Sequence, residues 1–222
     1  MTPPTRAVLL DALGTLVELE PPWVHLREAL GDGVPEERLE AAVRAEMRYY
    51  RAHSEEGRDA ASLADLRRRC AGVLSRGLGQ AVDVDTLMAA IRFRAYPDAA
   101  PALAVLRERG LSLVCVSNWD CSLPGVLERC GLAGRLDGVV SSAGAGARKP
   151  DPAIFAVALA IPRCSPSEAV HVGDTPEEDV EGARAAGVRP LLLARGDGGG
   201  STRAGSPPRL ASLGEIEQYL ES

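Results

Sequence analysis

Short apolar runs alternate with helix-like segments along the second half of the chain, and one further run lies near its start. The runs are three to six residues long and cover 7–10, 111–116, 138–140, 169–172 and 190–193. Continuous apolar runs of this length are typical of strands buried on both faces. Apolar residues at helical spacing occupy 99–109, 122–130, 152–160, 177–186 and 213–220. This alternation predicts an α/β fold, a doubly wound parallel sheet with helices on both faces.

About a hundred residues separate the first apolar run from the second, whereas a crossover between parallel strands usually needs only a dozen or somewhat more. Within this stretch the apolar positions follow the helical period around 39–50, 63–74 and 84–91. We therefore expect an all-helical domain at 17–96, inserted into a discontinuous α/β core made of 1–16 and 97–222. The segment 195–209, rich in glycine, serine and proline, is expected to be a flexible loop within that core.

The overall composition is that of a packed globular protein. Hydrophobic residues make up 45% and charged residues 25% of the chain, and the net charge is -6. This acidic balance disfavours a nucleic-acid partner, and neither a membrane-span pattern nor a signal-peptide pattern is present. We therefore expect a cytoplasmic protein without nucleic-acid or membrane partners. The five cysteines lack the spacing of a zinc site or a disulfide framework and are expected to be free thiols.

Acidic and polar residues directly follow several of the apolar runs. Asp11 follows the first run, Ser117 and Asn118 follow the second, and Asp174 follows the fourth, with Asp179 five residues later. Ligands of open parallel sheets bind at the carboxyl ends of the strands, so we expect these carboxylates to converge there. Acidic groups in one cleft repel unless a cation neutralises them, and an all-oxygen site suits Mg²⁺. A bound magnesium ion in turn suits a phosphorylated substrate.

Lysine and asparagine have almost vanished from this arginine-rich chain. Lys149 is its only lysine and Asn118 its only asparagine. The planar guanidinium of arginine cannot reproduce the compact point charge of a lysine ammonium group. We therefore expect these two residues at positions where a substitute would fail.

Four motifs follow one another in a fixed order. They begin at Asp11 (DALGTL), Ser117 (SN), Lys149 (KPDP) and Gly173 (GDTPEED). With these motifs the chain resembles the haloacid dehalogenase superfamily over essentially its whole length. The helical stretch 17–96 is similar to the helical cap that this superfamily most often carries between its first and second motifs. The resemblance implies a Rossmann-like core under such a cap.

The resemblance also implies a chemistry and a role for each motif residue. It implies an Mg²⁺-dependent hydrolase that acts on a small phosphorylated molecule through an aspartyl-phosphate intermediate. The implied catalytic residues are Asp11, as the nucleophile, and Lys149. The phosphate would be bound by Thr15, Ser117, Asn118 and Lys149. The metal would be bound by Asp11, the backbone carbonyl of Leu13, Asp174 and Asp179.

One position departs from the pattern of the phosphatases in this superfamily. Two residues after the nucleophile they usually carry an acid/base aspartate, and this chain has Leu13 there. Loss of a positioned acid/base typically costs about 10²- to 10⁴-fold in rate. One hypothesis is therefore a phosphatase that is slow, that needs good leaving groups, or that recruits another acid. Asp120 is the candidate substitute, with capping of the helix from Ser122 as its alternative role.

Two other hypotheses remain open at this stage. A 2-haloacid dehalogenase needs no acid because halide leaves without protonation, although Asp174 and Asp179 would repel an anionic haloacid. A binding or regulatory protein would keep the fold without turnover.

Residues of the helical insertion that face the cleft would determine the substrate. The candidates are Trp23, His25, Tyr49, Tyr50, Arg92 and Arg94, with packing or surface roles as the alternative. The basic run Arg67–Arg69 is expected to form a solvated helix face, His53 to lie in a solvated loop, and His171 to be a core histidine with satisfied hydrogen bonds.

Overall fold

Strands at the centre of the molecule form a parallel sheet in the computed structural model, which describes residues 3–196 and 206–220. The strands in chain order are β1 (Ala7–Leu10), β2 (Val17–Leu19), β3 (Phe93–Ala95), β4 (Ser112–Ser117), β5 (Gly138–Ser141), β6 (Ala169–Gly173), β7 (Arg189–Leu193) and β8 (Arg209–Leu210). Six of them form one sheet in the order β5-β4-β1-β6-β7-β8, and every pairing in it is parallel. The central strand β1 therefore has β4 on one side and β6 on the other.

The described residues form nine α-helices, of which the first four lie in the insertion and the other five in the core. They are α1 (Pro22–Leu30), α2 (Glu36–His53), α3 (Ala60–Leu78), α4 (Val84–Ala90), α5 (Ala99–Glu108), α6 (Leu123–Arg129), α7 (Ser142–Ala145), α8 (Pro152–Ala160) and α9 (Glu181–Ala185). Shorter 3₁₀ helices cover Ser54–Glu56, Ala133–Arg135, Pro166–Glu168 and Leu213–Tyr219, and a π-helix covers Pro176–Val180. No helix in the described ranges is both long and apolar enough to cross a membrane.

Both faces of the sheet are covered, because successive side chains of a strand point to opposite faces. From β1, Leu10 packs in one apolar cluster with Leu103 of α5. Its neighbour Leu9 packs in a different cluster with Phe155 of α8. All residues of β1 are buried, which explains its continuous apolar sequence. The predicted doubly wound parallel sheet is confirmed.

The helical insertion has an apolar cluster of its own. Leu39 and Val43 of α2 pack there with Leu66 and Leu74 of α3, as their helical spacing predicts. The antiparallel pair β2 and β3 lies where the chain leaves and re-enters the core, with Val17 opposite Ala95. The prediction that 17–96 is all-helical is therefore wrong at its two ends, because the segments that enter and leave the insertion pair with each other as strands. The separate cluster supports the domain boundaries 17–96 against 1–16 and 97–222, which we keep as a proposal.

Three differences from the sequence patterns concern the second half of the chain. Much of the expected flexible loop 195–209 falls on 197–205, outside the described residues, and Arg209 at its end belongs to β8. The expected helix 177–186 begins as a π-turn in which the amide of Glu181 donates to the carbonyl of Pro176. The expected helix 213–220 is a 3₁₀ helix. Helical periodicity alone does not distinguish these hydrogen-bonding patterns.

Candidate active site

Three carboxylates meet at the carboxyl ends of β1 and β6. Carboxylate oxygens of Asp11, Asp174 and Asp179 all lie within 4.8 Å of one another. The backbone amide of Asp11 donates to the carbonyl of Val172 at 2.9 Å, which holds it beside β6. The structure therefore brings together the carboxylates whose convergence the strand pattern predicts.

Lys149 lies between two of these carboxylates. Its Nζ donates to Oδ1 of Asp11 and to Oδ1 of Asp179, both at 2.5 Å, and its side chain is only 1% exposed. Ser117 Oγ, at the end of β4, donates to the same Oδ1 of Asp11 at 2.9 Å. Lys149 and Ser117 therefore both bind Oδ1 of Asp11. Among the described residues no hydrogen bond is found to the other oxygen, Oδ2, which is left available for a ligand.

Asn118 holds the backbone of Lys149. Its Nδ2 donates to the Lys149 carbonyl at 3.0 Å, and its Oδ1 accepts from the Lys149 amide at 2.8 Å. This paired contact needs both an amide donor and an amide acceptor, which only asparagine and glutamine side chains offer. The chain's only asparagine therefore positions its only lysine, a link that the sequence does not show.

Asp179 is the most heavily bonded of the three carboxylates. Besides Lys149, it accepts from the Thr175 amide at 3.0 Å and lies 2.9 Å from Nε2 of His171. His171 is fully buried, as predicted, but its Nδ1 has no hydrogen-bond partner among the residues that the structure describes. The prediction that its hydrogen bonds are satisfied is therefore wrong for this nitrogen. The other ring nitrogen, Nε2, lies against Asp179 and helps to orient it.

Burial and charge shift the pKa values of this group in opposite directions. Burial, opposed by Lys149, raises the pKa of Asp11 to about 6. Burial and the nearby Asp179 raise the pKa of Asp174. Burial also acts on Asp179, but Lys149 and His171 outweigh it and hold its pKa well below the usual range. Burial lowers the pKa of Lys149, and the two carboxylates more than reverse this.

The donor set fits a divalent cation. Three carboxylates face one ammonium group, so two negative charges remain in excess. All the available ligand atoms are oxygens, which Mg²⁺ prefers. Thr15 Oγ1 is also buried and has no hydrogen-bond partner among the residues that the structure describes, but Thr15 does not line the cavity next to Asp11.

Gly14 allows the loop after β1 to approach Asp174. Its φ is +88°, in the region that favours glycine, and a Cβ built there would overlap the Asp174 carboxylate.

We therefore expect Gly14→Ala to displace Asp174, to weaken Mg²⁺ binding about tenfold or more, and to destabilise the fold by about 1–3 kcal/mol. Titration calorimetry with MgCl₂ and urea unfolding would measure the two effects. Gly134→Ala, where a Cβ meets nothing within 4 Å, is the control. Unchanged Mg²⁺ affinity in Gly14→Ala would contradict the close approach.

Arg195 binds the backbone of the same loop, which follows β1. Its guanidinium donates to the carbonyls of Gly14 at 3.3 Å and Thr15 at 2.8 Å, and to Asp98 at 2.9 Å. It also lies over the ring of Tyr96, 3.8 Å from the centroid. The sequence gives no signal for this contact, because Arg195 is about 180 residues from the loop that it holds.

A cavity of about 620 Å³ extends from Asp11 into the helical insertion. Of the candidate liners, Trp23 and Tyr50 do line it, whereas His25, Tyr49, Arg92 and Arg94 are not among its lining residues. His25 pairs with Glu20 instead, and Arg94 with Glu18. The expected solvated run Arg67–Arg69 also needs correction, because Arg67 is half-buried and lines the cavity.

Asp120 joins the core to the insertion. It is 3% exposed, and its Oδ2 accepts from the hydroxyl of Tyr50 on α2 at 2.8 Å. Its Oδ1 accepts from the amide of Ser122 at 2.6 Å, next to the start of α6. Both oxygens are therefore used as acceptors, whereas a general acid must donate a proton. This arrangement argues against a recruited acid, and it also corrects the expected cap: α6 has no side-chain cap, and the bond from Asp120 to Ser122 forms a turn just before the helix.

The chain matches one protein family over most of its length. The model of the haloacid dehalogenase-like hydrolases matches residues 5–187. The chain belongs to the haloacid dehalogenase-like (HAD) hydrolase family. The match includes every motif that carries the resemblance seen in the sequence, so that prediction is confirmed.

Individual HAD proteins are similar to part or all of the chain. A haloacid dehalogenase-like hydrolase domain-containing protein 3 from Bos taurus is 44% identical over 40% of this chain and 35% of its own length. A phosphoserine phosphatase from Thermus thermophilus is 39% identical over 56% of this chain and 51% of its own length. The chain thus spans about half, or less, of these relatives. The L-2-haloacid dehalogenase of Xanthobacter autotrophicus has a TM-score of 0.73 at 23% identity, over 98% of this chain and 99% of its own, a likeness that shows the fold alone.

Proposed function

We propose that this HAD hydrolase is an Mg²⁺-dependent phosphatase that acts on a small phosphorylated molecule through an aspartyl-phosphate on Asp11. The observation that carries the proposal is the convergence of Asp11, Asp174 and Asp179 around the buried Lys149. The relative named phosphoserine phosphatase supports a phosphate ester as the substrate.

In the first step, Oδ2 of Asp11 attacks phosphorus and the substrate's ester oxygen leaves. Ser117 and Lys149 bind the other oxygen of Asp11, so they hold the carboxylate in place while leaving the nucleophilic atom free. Lys149 also offsets negative charge near the transferring group, and the family resemblance assigns Thr15 to phosphate binding as well. Water then hydrolyses the aspartyl-phosphate and releases phosphate.

Magnesium would be held by Asp11, Asp174, Asp179 and the backbone carbonyl of Leu13. When bound, it supplies charge neutralisation and polarises phosphoryl oxygens. We therefore expect hydrolysis of 4-nitrophenyl phosphate to fall by about 10²-fold or more after treatment with EDTA and to return with MgCl₂. Equal rates with and without the metal would contradict this part of the proposal.

The leaving group must depart without help from the residue two positions after the nucleophile. Leu13 is half-buried, lines the cavity and packs against the apolar cluster of the sheet. An alkyl side chain cannot protonate an ester oxygen or activate water. We therefore propose that the native protein favours substrates with good leaving groups, such as aryl and acyl phosphates.

Restoring a carboxyl group at position 13 tests this explanation. We expect Leu13→Asp to increase kcat for an alkyl phosphate by about 10²-fold, the usual contribution of a positioned acid/base. The gain should be smaller for 4-nitrophenyl phosphate, whose leaving group needs little protonation. Leu13→Asn is the control, because it has the same shape and polarity as the aspartate without an acidic proton. An equal gain in both variants would show that polarity, and not proton transfer, limits the rate.

Leu13 also favours a second candidate function, a 2-haloacid dehalogenase, because halide leaves without protonation. Asp174 and Asp179 argue against it, since they place further negative charge beside Asp11, where an anionic haloacid would have to bind. Chloride release from 2-chloropropionate in the absence of metal would establish this alternative. If neither that reaction nor metal-dependent phosphate release occurs, the protein is a binding or regulatory member of the family.

A further inference from the structure

Glu46 is a buried carboxylate at the end of the cavity that lies in the helical insertion. It is 5% exposed, lies on α2 one helical turn before Tyr50, and lines the same cavity as Asp11. Glutamate is almost never fully buried unless it is paired. Its position therefore needs an explanation.

The sequence around Glu46 would suit an apolar residue. Leu39, Val43 and Glu46 follow one another at the spacing of one helix face, and the first two belong to the apolar cluster of the insertion. An apolar side chain at position 46 would extend this stripe. Glu46 thus places an ionisable group in an otherwise apolar helix face.

No cation of the described protein neutralises Glu46. It takes part in none of the ion pairs found in 3–196 and 206–220. Its neighbour is the thiol of Cys70 on α3, whose hydrogen bond lowers the pKa of Glu46 less than burial raises it. A thiol is a weak donor, so the carboxylate keeps most of its hydrogen-bonding capacity for a group that enters the cavity.

The other walls near Glu46 show what kind of molecule could enter. Trp23, Met47, Leu87 and Ile91 line the cavity with apolar surface, and about 620 Å³ is enough space for a small organic molecule. Arg67 lines it as well, but it forms no ion pair with Glu46. The cavity therefore has the groups proposed to bind phosphate where it meets the core, and apolar walls with an unneutralised buried carboxylate where it enters the insertion. Its other charged liners are Glu18, Arg51, Arg129, Arg148 and Glu178, and among the described residues none of them pairs with Glu46.

We propose that Glu46 binds an ammonium group of the substrate, which makes the substrate class of this site small phosphorylated molecules that carry an amine. The inference rests on the proposed phosphatase function, because it assumes that the phosphate lies at Asp11. A charged partner at Glu46 would offset the cost of burying the carboxylate, as an ion pair within the protein would have done.

The test compares ω-aminoalkyl phosphates of two to six carbons with alkyl phosphates of the same chain length. At the optimal length we expect the native protein to prefer the amino compound by about 10- to 100-fold in kcat/KM, the usual effect of a buried charged hydrogen bond. Glu46→Gln should remove this preference, so that the ratio of kcat/KM between the amino and the alkyl compound falls to about one. Glu37→Gln, on the exposed side of the same helix, should keep the preference.

Thermal unfolding separates this role from a structural one. If Glu46 had only a structural role, Glu46→Gln would lower Tm and would reduce kcat/KM for the aminoalkyl and the alkyl phosphates by the same factor. We expect Tm to stay the same or rise, because the substitution removes a buried charge without a cation. Equal kcat/KM for amino and alkyl phosphates in the native protein would overturn the proposal, as would a preference that survives Glu46→Gln.

A binding measurement distinguishes failure of this inference from failure of the phosphatase function. Absence of phosphate release from every substrate, including 4-nitrophenyl phosphate, would contradict the phosphatase function. Calorimetry measures the affinity of the native protein for the aminoalkyl phosphates. It tests the role of Glu46 whether or not the protein hydrolyses them. Binding that is about 10- to 100-fold weaker in Glu46→Gln supports the ammonium site, and equal binding overturns it.

Discussion

Asp11→Asn is expected to lower kcat for 4-nitrophenyl phosphate by about 10³-fold or more, because an amide oxygen cannot act as the nucleophile that forms the aspartyl-phosphate. The substitution keeps the shape of the side chain, and its oxygen can still accept from Ser117. The structure should therefore survive, since Lys149 keeps its second partner, Asp179. Initial rates of nitrophenol release with MgCl₂ present measure the effect.

The matched control for this experiment is Asp85→Asn. Asp85 is exposed on α4, outside the cavity, and its variant should retain the native rate. Near-equal rates for the native protein and Asp11→Asn would remove the covalent mechanism, and with it the role proposed for Oδ2 of Asp11. Circular dichroism of both variants would establish that any loss of rate occurs in a folded protein.

Lys149→Met is expected to have the largest effect on stability. The ammonium group is 1% exposed and is the shared cation of Asp11 and Asp179, so its removal leaves two buried carboxylates beside one another. Breaking a buried ion pair by removing one partner typically costs about 3–5 kcal/mol. We expect a loss of that size in the free energy of unfolding, measured by urea denaturation with EDTA present, and loss of turnover as well.

A second substitution identifies the cause of this loss. The double variant Lys149→Met with Asp179→Asn removes one of the stranded charges and should regain part of the stability. Lys149→Arg should fail to restore turnover, because a planar guanidinium does not fit where a compact ammonium group contacts two carboxylate oxygens. If Lys149→Met were as stable as the native protein in urea, the ion pairs would contribute nothing to the fold.

Local patterns were sufficient for five of the six strands in the main sheet and for the side chains that follow them. They did not predict β8, or the antiparallel pair β2 and β3 at the ends of the insertion. The apolar run 7–10 predicts β1, and Asp11 directly after it must lie at the carboxyl end of that strand. The same argument places Asp174 after β6, and neighbouring parallel strands then bring the two together. These predictions hold because each depends on a strand and on the residue next to it.

Contacts between distant segments could not be predicted in this way. Both roles proposed for Asp120 were open from the sequence, and its bonds to Tyr50 and to Ser122 just before α6 match neither of them. Arg195 gives no signal at all, and the interpretation of Arg67 as solvent-facing was wrong. Composition and periodicity describe neighbours along the chain, whereas these side chains find their partners across it.

The sequence by itself determined the α/β core, the helical insertion, the family resemblance and the identity of the residues at the candidate site. Only the tertiary structure decided how Lys149 is shared between Asp11 and Asp179, that Asn118 holds its backbone, and that Glu46 faces the cavity without a cation. The physical reason is that periodicity and strand order specify which face or edge a residue occupies. Hydrogen bonds and ion pairs additionally depend on distances of about 3 Å between side chains, which are set when the elements pack against one another.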